Sequence, residues 1–187
     1  FLVSASIQNI INDHVKRYKD LHTLPDKVAI HINDTHPALC IPELMRILMD
    51  DHGLGWDEAW DIVTRTVAYT NHTVLVEALE TWSLDRIERM LPRLSMIIKE
   101  INQRFTTSMW QYFPNDWNRI EKLAIVSNNT VRMANLSVVG SHKVNGVSAL
   151  HSDIIKHSIF KNFYEVTPDK FTNVTNGIAH RRWLHQS

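Results

Sequence analysis

Cysteine is almost absent. The single Cys40 excludes an internal disulfide framework and fits a reducing compartment. Its apolar neighbours give it the character of a small buried hydrophobe. No apolar run approaches the length that crosses a bilayer. Charge of either sign is not in excess: the formal net charge is zero, so the basic stripe of a nucleic-acid-binding domain is missing. There is no GxxxxGK phosphate loop, no nucleophile elbow, no internal repeat and no low-complexity linker. What is present is ordinary globular material, 44% hydrophobic and 21% charged, in a 187-residue chain long enough for one real core. One unit over residues 1–187 is the expected division.

The hydrophobic pattern begins at the first residue. Leu2, Ile7, Ile10, Ile11, Val15 and Tyr18 recur at helical spacing. At the other end Arg181-Arg182-Trp183-Leu184 leads on as though towards further structure, so the chain is expected to be a segment of a longer protein. Between these ends the spacing predicts a strand over 28–32, a helix from Pro37 to about Asp51, and a helix over 57–66. A short β-prone run follows at 67–69, then a helix after Ser83, a longer helix over about 93–105 and a short one over 115–123, the last with Trp117 and Ile120 inward. Leu136 to Val139 reads as a second buried strand. Gly146 then opens a helix through about Ser158, with Leu150, Ile154 and Ile155 inward, and residues 164–172 read as irregular.

Polar turns interrupt this pattern at Asn33-Asp34-Thr35-His36, Thr70-Asn71-His72-Thr73, Gly140 to Val147, and Thr175-Asn176-Gly177. Two of them follow β-prone runs, and open α/β sheets bind ligands at the carboxyl ends of their strands. Amides, hydroxyls and imidazoles in such turns suit a polyhydroxylated ligand, because each hydroxyl needs both a donor and an acceptor. Gly146 is expected to let the backbone approach that ligand. Each turn also has a plainer reading: the first as an Asx-type turn with a cap, and His36 and His72 as structural histidines bonded to backbone. A metal site from His31, His36 and His72 lacks helical i, i+4 spacing and a further ligand pattern.

The segments NDTHPAL, IPELMR, AYTNHTVL, EALE, EINQRF, VGSHKVNGV, HSDI, TNGI and RRWL resemble those of the α-glucan phosphorylases, the glycogen and maltodextrin phosphorylases, in family order, with matching spacing, over nearly the whole chain. The resemblance implies an α/β fold, a helix-rich partial Rossmann-like domain within a two-domain glycosyltransferase-B architecture. The chain is then the C-terminal portion of the N-terminal domain, ending at the crossover to a C-terminal domain it lacks. The implied parent is a cytoplasmic, homodimeric glycosyltransferase. It moves the terminal glucose of an α-1,4-glucan to orthophosphate, giving glucose 1-phosphate, with pyridoxal phosphate as cofactor.

On the matched positions, His72 is the implied catalytic residue. It contacts the glucose 6-hydroxyl, and its main-chain carbonyl stabilises positive charge at the sugar carbon. Asp34, His36, Asn71, Ala78, Val147 and Asn176 are the implied substrate-binding residues. The cofactor lysine and the phosphate-binding cations are implied to lie outside this chain, which alone is expected to be inactive. Val76 stands where a proline is usual, and Ala179-His180 replaces a Thr-Pro pair. Lys99 replaces a storage-site tyrosine of the muscle glycogen enzymes, which leans towards a maltodextrin-type enzyme. The competing expectation, from another class, is a freestanding carbohydrate-binding or interaction domain.

Overall fold

The computed structural model describes residues 1–185; Gln186 and Ser187, counted in the 1–187 unit above, lie outside the described residues. In chain order the first elements are α1 (Leu2–Tyr18), α2 (Leu24–Lys27), β1 (Ile30–Asn33), α3 (Cys40–Arg46, extended by a wider turn to Asp51), α4 (Trp56–Thr66) and β2 (Val67–Asn71). Next come β3 (Thr81–Ser83), α5 (Leu84–Met90), α6 (Pro92–Met109), α7 (Trp117–Leu123), β4 (Val126–Ser127), β5 (Thr130–Arg132) and α8 (Met133–Gly140). The chain continues through β6 (Val144–Gly146), α9 (Ala149–Ile154, extended to Ile159), α10 (Lys161–Val166), β7 (Phe171–Asn173) and α11 (His180–Leu184).

Two sheets result. β1, β2, β6 and β7 pair in that order, all parallel, while β3, β5 and β4 form a small antiparallel sheet. Parallel neighbours need long crossovers, and helices supply them. Side-chain period two divides the parallel sheet into unlike faces. Ile32, Tyr69, Val144 and Phe171 are buried on one face. There α4 and α8 pack on β2, and α9 packs on β6 and β7. His31 and Asn33 on the other face are exposed, and their register partners Ala68, Thr70, Asn145 and Thr172 continue it as a largely polar surface.

Several expectations change. Residues 133–140 form a helix in which every residue is buried, not the expected strand. A short continuous apolar run suits either state, and here tertiary packing decides. The Asn135 amide donates to the carbonyls of Lys122, Leu123 and Ala124 at 3.0, 3.2 and 2.9 Å, anchoring α8 across the end of α7. The strand lies further on, at Val144–Gly146. The stretch expected to be irregular holds the end of α10 and the first two residues of β7. Leu150, expected inward, is 73% exposed, because the face of its helix that packs inward is that of His151 and Ser152. Trp117 is also exposed and meets Trp110 edge-on, with ring centres 4.1 Å apart. Cys40 is buried as expected, which pushes its thiol up to about 12.

One buried charge ties the first helix to the core. Glu43 on α3 accepts a hydrogen bond from Ser4 of α1 at 2.6 Å and bidentate contacts from Arg46 at 2.9 and 3.0 Å. Burial pushes the Glu43 carboxyl up, but the hydrogen bonds from Arg46 and Ser4 outweigh it and hold the group below the usual carboxylate range. A carboxyl depressed in the folded state contributes stability above its unfolded pKa and loses it as pH falls. We expect the urea midpoint of the parent to drop more steeply with acidification, between roughly pH 5 and 3, than that of Glu43→Gln. Parallel acid limbs in the two proteins would refute this assignment.

Candidate functional site

Because the four strands of the larger sheet are parallel, their carboxyl ends emerge along one edge. The turns that follow them are therefore neighbours, although they are far apart in sequence. A groove of about 450 Å³ runs along the polar face to this edge. His31 and Asn33 from β1, Thr70 and His72 from β2, Lys143, Asn145 and Val147 around β6, and Val174, Thr175 and Asn176 after β7 line it.

Side chains hold one another across the strands. His31 Nε2 lies 2.5 Å from Thr70 Oγ1, and the Asn145 amide reaches the same hydroxyl at 3.4 Å. The amide of Asn145 grips the chain leaving β7 from both sides. Its oxygen accepts from Val174 N–H at 2.6 Å, and its nitrogen donates to the Val174 carbonyl at 3.3 Å. His72, exposed at the mouth of β2, places Nε2 at 2.5 Å from Asn33 Oδ1.

The first turn is fixed by backbone. Asp34 adopts φ 63°, a left-handed conformation that Asp tolerates better than most residues. Its N–H donates to the Thr70 carbonyl at 2.9 Å, and its carboxylate accepts from Thr35 N–H at 2.7 Å. Thr35 donates its hydroxyl to Glu80 at 2.7 Å. His36 is 82% exposed at the side chain and lies 3.7 Å from the same carboxylate. Thus the turn after β1 is tied both to β2 and to the segment entering β3.

The residues singled out from sequence separate into two groups. His72, Val147 and Asn176 share the groove lining. Asp34, His36, Asn71 and Ala78 are not among its lining residues. Asn71 is fully buried on the opposite face, where its amide donates to the Tyr69 hydroxyl at 2.9 Å. Burial raises that phenol well above its usual value, so Tyr69 stays neutral. Ala78 ends an exposed turn over Val76–Ala78.

Lys143, Asn145 and Val174 were not named as binding residues. Alternation about Val144 carries the signal for the first two, but it was masked by placing the strand at 136–139. His151 was missed as well. Buried at the start of α9, it accepts from Val147 N–H at 3.1 Å through Nδ1, so Nε2 carries the proton towards the Thr73 carbonyl 3.4 Å away. It thereby fastens the turn after β6 to the chain leaving β2.

Gly146 serves a different purpose from the one expected. A Cβ there would meet the backbone of Ser152, 2.8 Å from its Cα and 2.9 Å from its nitrogen. The missing side chain admits α9, not a ligand. Asn173 locks this junction, donating to the Gly146 carbonyl at 3.1 Å and to Ser152 Oγ at 2.7 Å. The first amides of α9 are also engaged locally, since Ser148 Oγ accepts from His151 N–H at 3.1 Å. The groove thus offers neutral hydrogen-bonding groups and one exposed lysine.

Comparison with known proteins gives a single family. The model for carbohydrate phosphorylases matches residues 1–187. A glycogen phosphorylase of Bacillus subtilis is 53% identical over 98% of this chain, and the human muscle form of glycogen phosphorylase is 50% identical over 98%. A cytosolic alpha-glucan phosphorylase 2 of Arabidopsis thaliana is 52% identical over 98%. The chain spans only 23% of the length of each of these three relatives.

The Gly146 junction yields a direct expectation. Gly146→Ala forces α9 away from β6 and costs about 1–3 kcal/mol, as overpacking against a close neighbour does. The change is to be read as a lower urea midpoint at unchanged slope. An unshifted midpoint would mean that α9 is free to move aside.

Proposed function

Because the chain belongs to the carbohydrate phosphorylase family, we propose that it forms the sugar-facing portion of an α-glucan phosphorylase, the C-terminal part of an N-terminal domain in a two-domain enzyme. That enzyme transfers the terminal glucose of an α-1,4-glucan to orthophosphate and releases glucose 1-phosphate. One observation carries the proposal to the residue level. His72, Val147 and Asn176, which leave three different strands, line one groove at the carboxyl edge of the sheet. Such an edge is where α/β sheets take ligands, and neutral donors and acceptors match sugar hydroxyls.

In this proposal His72 and Asn176 hold the 6-hydroxyl of the terminal glucose, with Val147 beside it. The main-chain carbonyl of His72 faces the positive charge that develops at the sugar carbon. Asp34 and His36, in the turn hydrogen-bonded to β2, extend the sugar-facing wall, as does Ala78 in the segment beyond His72. Asn71 acts from beneath by fixing the end of β2.

The family is generally dependent on pyridoxal phosphate, and neither Lys143 nor Lys170 fits a pocket for it. Lys143 in the groove is exposed and donates to the Asp169 carbonyl at 2.7 Å. Lys170 is drawn down by burial to about 8, as a Schiff-base lysine needs, but it lies outside the groove. Its ammonium is already committed to the Val138 and Val139 carbonyls at the end of α8, at 3.2 and 3.4 Å. We therefore assign the cofactor, the phosphate subsite and the dimer contacts to other parts of the enzyme, and the location to the cytoplasm. Among the described residues no helix is long and apolar enough to cross a membrane.

Two outcomes test the proposal. In the enzyme containing this segment, His72→Ala lowers turnover about 10- to 100-fold, the equivalent of one charge-assisted or buried hydrogen bond, with a smaller effect on the Michaelis constant. A raised Michaelis constant at unchanged turnover would remove His72 from the reacting sugar. The 187-residue chain by itself, incubated with pyridoxal phosphate, maltodextrin and phosphate, is expected to retain no cofactor absorbance after gel filtration and to form no glucose 1-phosphate. Formation of both would show a complete site in this segment.

A further inference from the structure

We propose that Asn33 is the positioning residue for His72, holding its imidazole in one orientation and in one protonation isomer. The proposal rests on the assignment of His72 to the sugar. Its physical basis is the contact between His72 Nε2 and Asn33 Oδ1, at 2.5 Å, between residues 39 apart in sequence. An amide oxygen can only accept, so the ring nitrogen facing it carries the proton. In the neutral ring the other nitrogen, Nδ1, is then the acceptor, because the hydrogen bond made by one ring nitrogen fixes the state of the other.

The sheet makes this contact reproducible. Asn33 is paired in parallel register with Thr70, and His72 follows Thr70 by two residues, on the same face. The rigid ladder therefore sets the distance between the two side chains. On the neighbouring rung His31 and Thr70 repeat the arrangement, a β1 side chain against a β2 side chain. Both Asn33 and His72 are exposed, so their pairing contributes little to folding and is free to serve orientation.

The consequence is chemical. With Nδ1 held as an acceptor, His72 accepts a hydrogen bond from a hydroxyl, leaving the hydroxyl oxygen to receive a donor such as the amide of Asn176, which lines the same groove. A ring free to turn and to exchange tautomers presents no single acceptor at a fixed place, and loses the benefit of a fixed geometry. Asn33 thus confers selectivity for a group that donates and accepts at one atom.

The test is long-range proton–nitrogen correlation on the ¹⁵N-labelled 187-residue chain, at a pH where its imidazoles are neutral, with the His72 signals identified by their loss in His72→Ala. In the parent, Nε2 is expected to resonate as a protonated nitrogen and Nδ1 as an unprotonated one. Asn33→Asp keeps an acceptor oxygen and keeps this pattern. Asn33→Leu removes the acceptor, and the two resonances move towards each other as the ring exchanges between isomers, while the urea midpoint stays in place. A parent ring protonated on Nδ1, or unmoved resonances in Asn33→Leu, would overturn the proposal. No sugar is present in this measurement, so its result is separate from the kinetic test of His72 in the enzyme.

Discussion

The parallel pairing of β1, β2, β6 and β7 is the constraint on which the rest depends. Strands that run the same way release the chain at the same edge, so turns separated by dozens of residues become neighbours. The crossover helices must then return on a face able to bury them. Ile32, Tyr69, Val144 and Phe171 provide that face. The opposite face of a parallel sheet is usually covered as well. Here it carries His31, Asn33, Thr70 and Asn145, which form a polar wall of the groove.

Within that wall, most polar groups act on other polar groups. Asn33 meets His72, His31 meets Thr70, and Asn145 grips the backbone at Val174. Beneath them His151 and Asn173 fasten the turns to the sheet. A binding group is useful only when its own geometry is fixed by neighbours, and this groove is built in that way. Its chemistry is largely that of neutral donors and acceptors. Outside it the partly buried Lys170 caps the end of α8 through two carbonyls.

Much of the helical scaffold was legible in the sequence because amphipathic spacing is a local signal. α1, α4 and α6 announce themselves by apolar residues at three- and four-residue intervals, and their ends in the structure differ from the expected ones by at most a few residues. The region from Met133 to Val147 was not legible. Leu136, Val138 and Val139 are all buried, so no alternation shows which period applies. That error displaced the third strand of the parallel sheet and hid Lys143 and Asn145. Gly146 was recognised as a place of close approach, but the approaching group is the backbone at Ser152.

The sequence by itself determined the family, through ordered motifs that survive without any coordinates, and it named the polar turns in which the candidate site lies. Residue type and spacing along the chain are enough for both. Only the tertiary structure decided which residues of those turns share a groove. His72, Val147 and Asn176 meet there, whereas the neighbouring Asn71 turns into the core beside Tyr69. Adjacent residues on a strand point to opposite faces. Which face is open depends on how the helices pack, and no local pattern encodes that choice.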